Sequence, residues 1–225
     1  WLLPAADSTP WWLTGAHDTI ALRQTAHADS AARVVYEYYG GRTRFRNISD
    51  DMMLAVDKAD SAQFTEEEIL DPQGWVLLSF IMDARTGLGR FRNFSVSNYQ
   101  LMLNLVDICR EYKDVNDILA LPDVAERVAL YEEHVEPYIN QVHACSEKYD
   151  NLIVLDLREE DILYAGNRFM IYALFPDCDM SMHVMWGRQK QNTVFAVGKS
   201  IINRDSKVNV GKLMLEYGGG GHEAA

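Results

Sequence analysis

Between Val124 and Cys145 the residues Val124, Val128, Tyr131, Val135, Tyr138, Val142 and Cys145 recur at alternating spacings of four and three. That period draws one stripe along a helix of about seven turns, at ~3.6 residues per turn, running from Asp123 towards Tyr149. A chain holding such a stripe must bury one whole side of a long helix. Pro137 lies inside it, where its ring is expected to kink the backbone. After this helix the pattern changes. Leu152–Leu157, Phe169–Phe175, Ser181–Trp186 and Thr193–Lys199 are short, apolar and rich in β-formers. The spacing therefore predicts a connecting helix followed by a small α/β domain whose four strands form one sheet. The same stripe is also the natural seam of an assembly, with Val128 and Val135 at its centre.

Upstream, Ser30 reads as a helix N-cap followed by Ala31, Val34, Val35 and Tyr38 on one face, with Gly40-Gly41 as the stop. Trp75–Met82 is apolar nearly all round, as a buried helix is. Asn98–Tyr112 reads as a helix with Met102, Leu105, Val106 and Cys109 inward. No apolar run reaches the ~18 residues of a membrane span. Cys109, Cys145 and Cys178 form no Cys-x-x-Cys pair, which fits free thiols in a reducing, cytoplasmic setting. A chain that opens on Trp1 and stops at Ala225 reads as a piece of a longer product.

Charge narrows the function. The net charge is −12, which excludes sequence-blind binding of long nucleic acid. Residues 1–150 hold 24 acidic and 13 basic side chains, whereas 151–225 hold 9 and 8. Arg188, Lys190, Lys199, Arg204, Lys207 and Lys212 face Asp205 alone within 188–212. An acidic body with one local basic patch suits a small anionic ligand.

Val210, Leu213, Met214 and Tyr217 return to helical spacing and meet Gly218-Gly219-Gly220-Gly221-His222. A helix stop needs one left-handed residue, not four glycines. Successive residues without Cβ let backbone N–H groups converge on an anion, and His222 adds a donor. Lys199-Ser200, at a strand end, supplies a cation and a hydroxyl.

The ending Gly218-Gly-Gly-Gly-His-Glu-Ala-Ala225 resembles the signature of the DHH-associated domain of DHH-family phosphoesterases. Lys199-Ser200-Ile-Ile-Asn203 resembles the strand end that precedes it there, and the closest character is that of exopolyphosphatase-related members. The resemblance covers roughly residues 27–225. It implies an α/β, two-domain chain: the C-terminal part of a DHH-type domain over 1–120, a connecting helix over 121–149 and a DHH-associated domain over 150–225. It further implies hydrolysis of a phosphodiester or phosphoanhydride through water activated by two Mn²⁺ or Mg²⁺ ions. The substrate is then a nucleotide, short oligonucleotide or polyphosphate. It would be held by the glycine turn, His222, Lys199, Ser200 and Asn203; Arg168, beside Asn167 in a loop, reads either as a further substrate contact or as a solvated charge.

The metal side of that family is thin in this chain. There is no Asp-His-His triplet and no early Asp-x-Asp. Ala59-Asp60-Ser61-Ala62-Gln63-Phe64 resembles the segment bearing a late metal-binding Asp, which makes Asp60 the candidate ligand and Asp57 the reserve, in a polar turn. His17-Asp18 and His27-x-Asp29 match no metal template. His134, His143 and His183 read as structural or solvated. The rival functions are a non-catalytic phosphate- or RNA-binding module, like the related domain that accompanies alanyl-tRNA synthetases, and an oligomerisation protein, a homodimer in its simplest form.

Overall fold

A computed structural model describes residues 28–91 and 93–225. The chain divides between Ala62 and Gln63 into two compact units. The metal alternatives at His17, Asp18 and His27 lie outside the described residues.

The first unit contains α1 (Ala31–Tyr38), α2 (Gly41–Arg44) and α3 (Asp50–Ser61). Ser30 caps α1 by accepting from the Arg33 N–H, and Ser49 caps α3 in the same way from Met52. Gly40 and Gly41 take φ of 101° and 53°, the left-handed turn expected of them. The inward face differs from expectation: Tyr36 is buried and Val35 is 51% exposed. Tyr36 stacks on Phe45 at 5.6 Å, and that ring contact, not the aliphatic row, orients this short helix.

Asp57 and Asp60 also differ from expectation, for they lie in α3 and not in a polar turn. The helix runs on to Ser61 and ends at Ala62, in the left-handed region at φ 51°. Ser30 Oγ donates to Asp57 Oδ1 at 2.6 Å, while Arg33 Nε and Nη2 donate to Oδ2 at 2.9 and 2.6 Å. Burial pushes the Asp57 carboxyl up, but the hydrogen bonds from Arg33 and Ser30 outweigh it and hold its pKa below the usual carboxylate range. A depressed pKa contributes stability above the unfolded value of about 4 and loses it as pH falls through the folded one. Asp57→Asn is therefore expected to cost about 2–3 kcal/mol at pH 7 and much less in acid. Amide exchange of α1 at pH 7 and at pH 3 measures both.

The second unit holds α4 (Glu66–Leu70), α5 (Gly74–Met82), α6 (Asn98–Glu111), α7 (Val115–Leu119) and α8 (Pro122–Cys145). After these come β1 (Ser146–Tyr149), β2 (Leu152–Asp156), α9 (Met170–Leu174), β3 (Met180–Trp186), β4 (Thr193–Lys199) and α10 (Val210–Glu216). The α8 stripe is buried as its period predicts: Val124, Tyr131, Tyr138 and Val142 are buried, and Val128 and Val135 pack on the same core. The stripe is thus packed inside its own unit.

A second row on α8 escaped the period. Arg127, His134 and Gln141, seven residues apart, are buried and polar. His134 Nδ1 accepts from the Ala165 N–H at 3.0 Å, and Gln141 Nε2 donates to Glu160 Oε2 and the Ile162 carbonyl at 2.6 and 2.7 Å. His134 and Gln141 thus tie the loop before α9 to the long helix.

In α6 the inner face is Leu101, fully buried, with Leu105, Ile108 and Cys109 packed beside it. Met102 and Val106, expected inward, are 54% and 63% exposed. The helix carries apolar residues on two sides, so periodicity alone did not choose between them.

The sheet runs β1-β2-β3-β4, with β1–β2 and β3–β4 antiparallel and β2–β3 parallel. It is one four-stranded sheet, as expected, but its members differ. Phe169–Phe175 forms helix α9, not a strand. A short run apolar on every side reads equally well as either, and the parallel β2–β3 pair needs a crossover, which α9 supplies. The fourth strand is β1, whose Ser-Glu-Lys-Tyr edge has no apolar alternation to reveal it. Among the described residues no helix is long and apolar enough to cross a membrane. All three cysteines are free, Cys178 fully buried.

Candidate functional site

Helix α10 begins at Val210, capped by the Asn209 side chain, and stops where Gly218 takes φ 78°. The Gly218 and Gly219 N–H groups close that stop, donating to Leu215 and Met214 carbonyls at 3.2 and 2.8 Å. The N–H groups of Gly220 and Gly221 make no hydrogen bond among the described residues. Both glycines and His222 are exposed. Two glycines therefore end the helix, and the next two present free donors.

The tail then turns back. His222 N–H donates to the Ala225 carbonyl at 2.5 Å, Val210 N–H to Glu223 and Lys199 N–H to Ala224, both at 2.9 Å. Residues 222–225 so thread between the start of α10 and the end of β4. This brings Lys199 beside the glycine turn, as expected from the sequence. Its Nζ is 3.7 Å from Glu223 Oε1, on a side chain only 17% exposed. Gly211 lies under the turn, where an added Cβ would drive into the Gly221 carbonyl oxygen and come within 2.8 Å of that of His222.

Ser200 and Asn203 are drawn into the same corner, in supporting positions. Ser200 is buried, its N–H donates to the Asp179 carbonyl, and its Oγ accepts from Ile202 and Asn203 N–H at 3.1 and 3.0 Å. Asn203 Nδ2 donates to the Asp177 carbonyl at 3.3 Å, and its Oδ1 accepts from Asp205 N–H at 3.2 Å. Both shape the turn that follows Lys199.

Arg168 sits in the loop before α9. Neighbouring Asn167 is buried and donates to the Ile69 carbonyl and the Tyr131 hydroxyl, while Gly166 N–H donates to the Thr86 carbonyl at 3.1 Å. The Arg168 guanidinium lies over the Phe169 ring at 4.1 Å, and its Nε is 3.4 Å from Asp83 Oδ2. Burial is the main cause that lowers its pKa, with the Arg85 charge adding to it. Asp83 and Arg85 were not singled out from the sequence. The signal available was the turn Asp83-Ala-Arg-Thr-Gly87, in which Asp83 caps a 3₁₀ turn by accepting from the Arg85 N–H.

Asp57 and Asp60 both address the start of α1. Asp57 is enclosed by Ser30 and Arg33, and Asp60 Oδ2 accepts from the Ala31 N–H at 3.3 Å. A dication at Asp57 would meet the Arg33 charge. Among the described residues no three His, Cys, Asp or Glu side chains converge on one point. These residues do not fit a two-metal centre. His134 packs against Phe91 and Tyr164, the exposed His143 meets Phe175 edge-on, and desolvation lowers the pKa of His183 on β3.

No family model matches the chain. Two threonylcarbamoyl-AMP synthases match short stretches: that of Pseudoalteromonas translucida is 41% identical over 71 residues, 30% of this chain and 36% of the relative. The one from Alkalilimnicola ehrlichii is 51% identical over 41 residues, 18% and 20% of the two chains. A solved structure matches far more: PggH of Vibrio cholerae, described as a pGpG-specific phosphodiesterase, is 57% identical with a TM-score of 0.79. The match covers 88% of this chain and 66% of that one, so the chain spans just under two thirds of the neighbour. Over most of its length the chain is thus similar, in sequence and in its mixed α/β fold, to a pGpG-specific phosphodiesterase.

Proposed function

We propose that this chain carries the substrate-gripping part of a phosphodiesterase acting on short 5′-phosphorylated oligonucleotides, pGpG among them. The observation that carries the reading is the 57% identity to a pGpG-specific phosphodiesterase over 88% of the chain. The C-terminal corner supports it. The open N–H groups of Gly220 and Gly221, the Lys199 ammonium and the His222 imidazole form a set of donors suited to one phosphate. Ser200 and Asn203 hold that corner without facing the ligand. The acidic body favours a short ligand over a polymer. Polyphosphate offers the same terminal group and is the alternative substrate.

In the reaction of this class a water oxygen bonds to phosphorus and the bridging P–O ester bond breaks, its oxygen leaving as a hydroxyl with a proton from the water, giving two nucleoside monophosphates from a 5′-phosphorylated dinucleotide. The Mn²⁺ or Mg²⁺ pair implied by the family resemblance has no matching ligand set among the described residues.

GMP formation from pGpG by a version of the chain extended upstream, followed by chromatography with Mn²⁺ and with chelator, tests the reading. Chelator-sensitive formation that falls about tenfold or more in His222→Ala, the loss of one charge-assisted hydrogen bond, supports it. Formation untouched by that substitution contradicts the role given to the turn.

A further inference from the structure

Arg85 and Arg168 share one carboxylate. Arg85 takes both oxygens of Asp83, with Nε 2.8 Å from Oδ1 and Nη2 2.8 Å from Oδ2. Arg168 approaches only to 3.4 Å, as an ion pair with Asp83, and its buried Nε has no acceptor in good hydrogen-bond geometry. Its side chain is 31% exposed, that of Asp83 20% and that of Arg85 62%. Two cations against one anion leave a net positive charge in a half-buried setting. A guanidinium carries five N–H donors in a rigid fork. Holding that half-buried fork against one carboxylate already taken by Arg85 is costly, unless a ligand supplies further oxygens.

The fork is also held in place. Phe169 underlies it, and the Gly166–Thr86 hydrogen bond ties the Arg168 loop to the Arg85 turn. From Arg168, helix α9 leads to Tyr172, whose hydroxyl meets Ser181 Oγ at 2.8 Å. A Cβ on Gly198, the residue before Lys199, would come within 2.9 Å of that same hydroxyl. Arg168 thus lies four residues before a side chain that touches the strand end beside the glycine turn.

We propose that Arg168, assisted by Arg85, forms a second phosphate subsite, which takes the phosphate of a dinucleotide that the glycine turn does not hold. The proposal rests on the phosphodiesterase reading above. Asp83 orients both forks, and the incoming oxygens bind the edge of Arg168 that Asp83 leaves open. A ligand with two phosphates gains from both subsites, and a ligand with one uses only one.

Isothermal titration with pGpG, which carries two phosphates, and GpG, which carries one, tests this on Arg85→Gln, Arg168→Gln, Arg168→Lys and His222→Ala. The unmodified chain is expected to prefer pGpG by about tenfold or more, a difference of ~1.4 kcal/mol. Arg168→Gln removes that preference, and Arg168→Lys, which keeps the charge but loses the fork, restores only part of it. Arg85→Gln, on a mostly exposed side chain, reduces the preference by less than Arg168→Gln does. A preference that survives both glutamine variants overturns the proposal, as does equal loss for both probes. His222→Ala separates the two ideas: unchanged affinities there, with the arginine effects intact, would remove the turn and leave the arginine subsite. Binding of neither probe by the unmodified chain would overturn both.

Discussion

Gly211→Ala weakens pGpG binding by about tenfold or more and lowers stability by about 1–3 kcal/mol, although alanine is the better helix former. The new methyl has nowhere to go: it meets backbone, the carbonyl oxygens of Gly221 and His222, and not the end of a flexible side chain. Relief comes only by moving the glycine turn away from α10, which takes the Gly220 and Gly221 donors out of place. Gly220→Ala is the matched control, because a Cβ there has nothing within 4 Å. It is expected to change stability by less than about 0.5 kcal/mol. Titration of both variants, alongside thermal unfolding, separates turn displacement from general loss of fold.

Arg127→Ala destabilises the second unit by about 3–5 kcal/mol, the cost of breaking a buried, fully partnered charge. Arg127 is wholly inaccessible. Its Nε donates to Asn98 Oδ1 at 2.7 Å, Nη2 to the Val96 carbonyl at 2.5 Å, and Nη1 to the Asp123 carbonyl and Glu126 Oε1 at 2.5 and 2.8 Å. Its guanidinium also lies over Phe94 at 4.1 Å. Removal leaves the Val96 carbonyl without this donor and opens a cavity between α6 and α8. Arg127→Lys restores the charge but not the fork, and recovers less than half of the loss. Denaturant unfolding of the three chains gives the comparison.

The sequence was most informative where one face of an element decides its fate. The α8 stripe and the α10 stop were legible because their residues repeat or cluster locally. The strands around Ile153, Val184 and Val197 were legible from β-branched runs between polar breaks. Helix α9 was not, because seven apolar residues in a row carry no period, and only the parallel pairing of β2 with β3 explains why a helix belongs there. Strand β1 was hidden for the opposite reason: Glu147 and Lys148 on an exposed edge look like loop.

The site divides in the same way. Gly218–His222 and Lys199 lie in two short segments whose composition is unusual in itself, and the structure brings them together through the Lys199–Ala224 and Val210–Glu223 hydrogen bonds. Ser200 and Asn203 were found but turn inward, which composition does not reveal. Asp83, Arg85 and Arg168 meet across more than eighty residues of sequence, and nothing local marks a pair of arginines as neighbours. Arg127, His134 and Gln141 show how a heptad pattern misleads when the second buried row is polar, because partners on distant loops satisfy it.

Titration of pGpG into the chain and into His222→Ala, both in chelator, tests the central claim most directly. The grip described here is built from protein donors alone. Binding is therefore expected to persist without metal and to weaken about tenfold or more in the variant. Equal affinity in the two chains, or no binding by either, would contradict the assignment of the C-terminal glycine turn as the phosphate site.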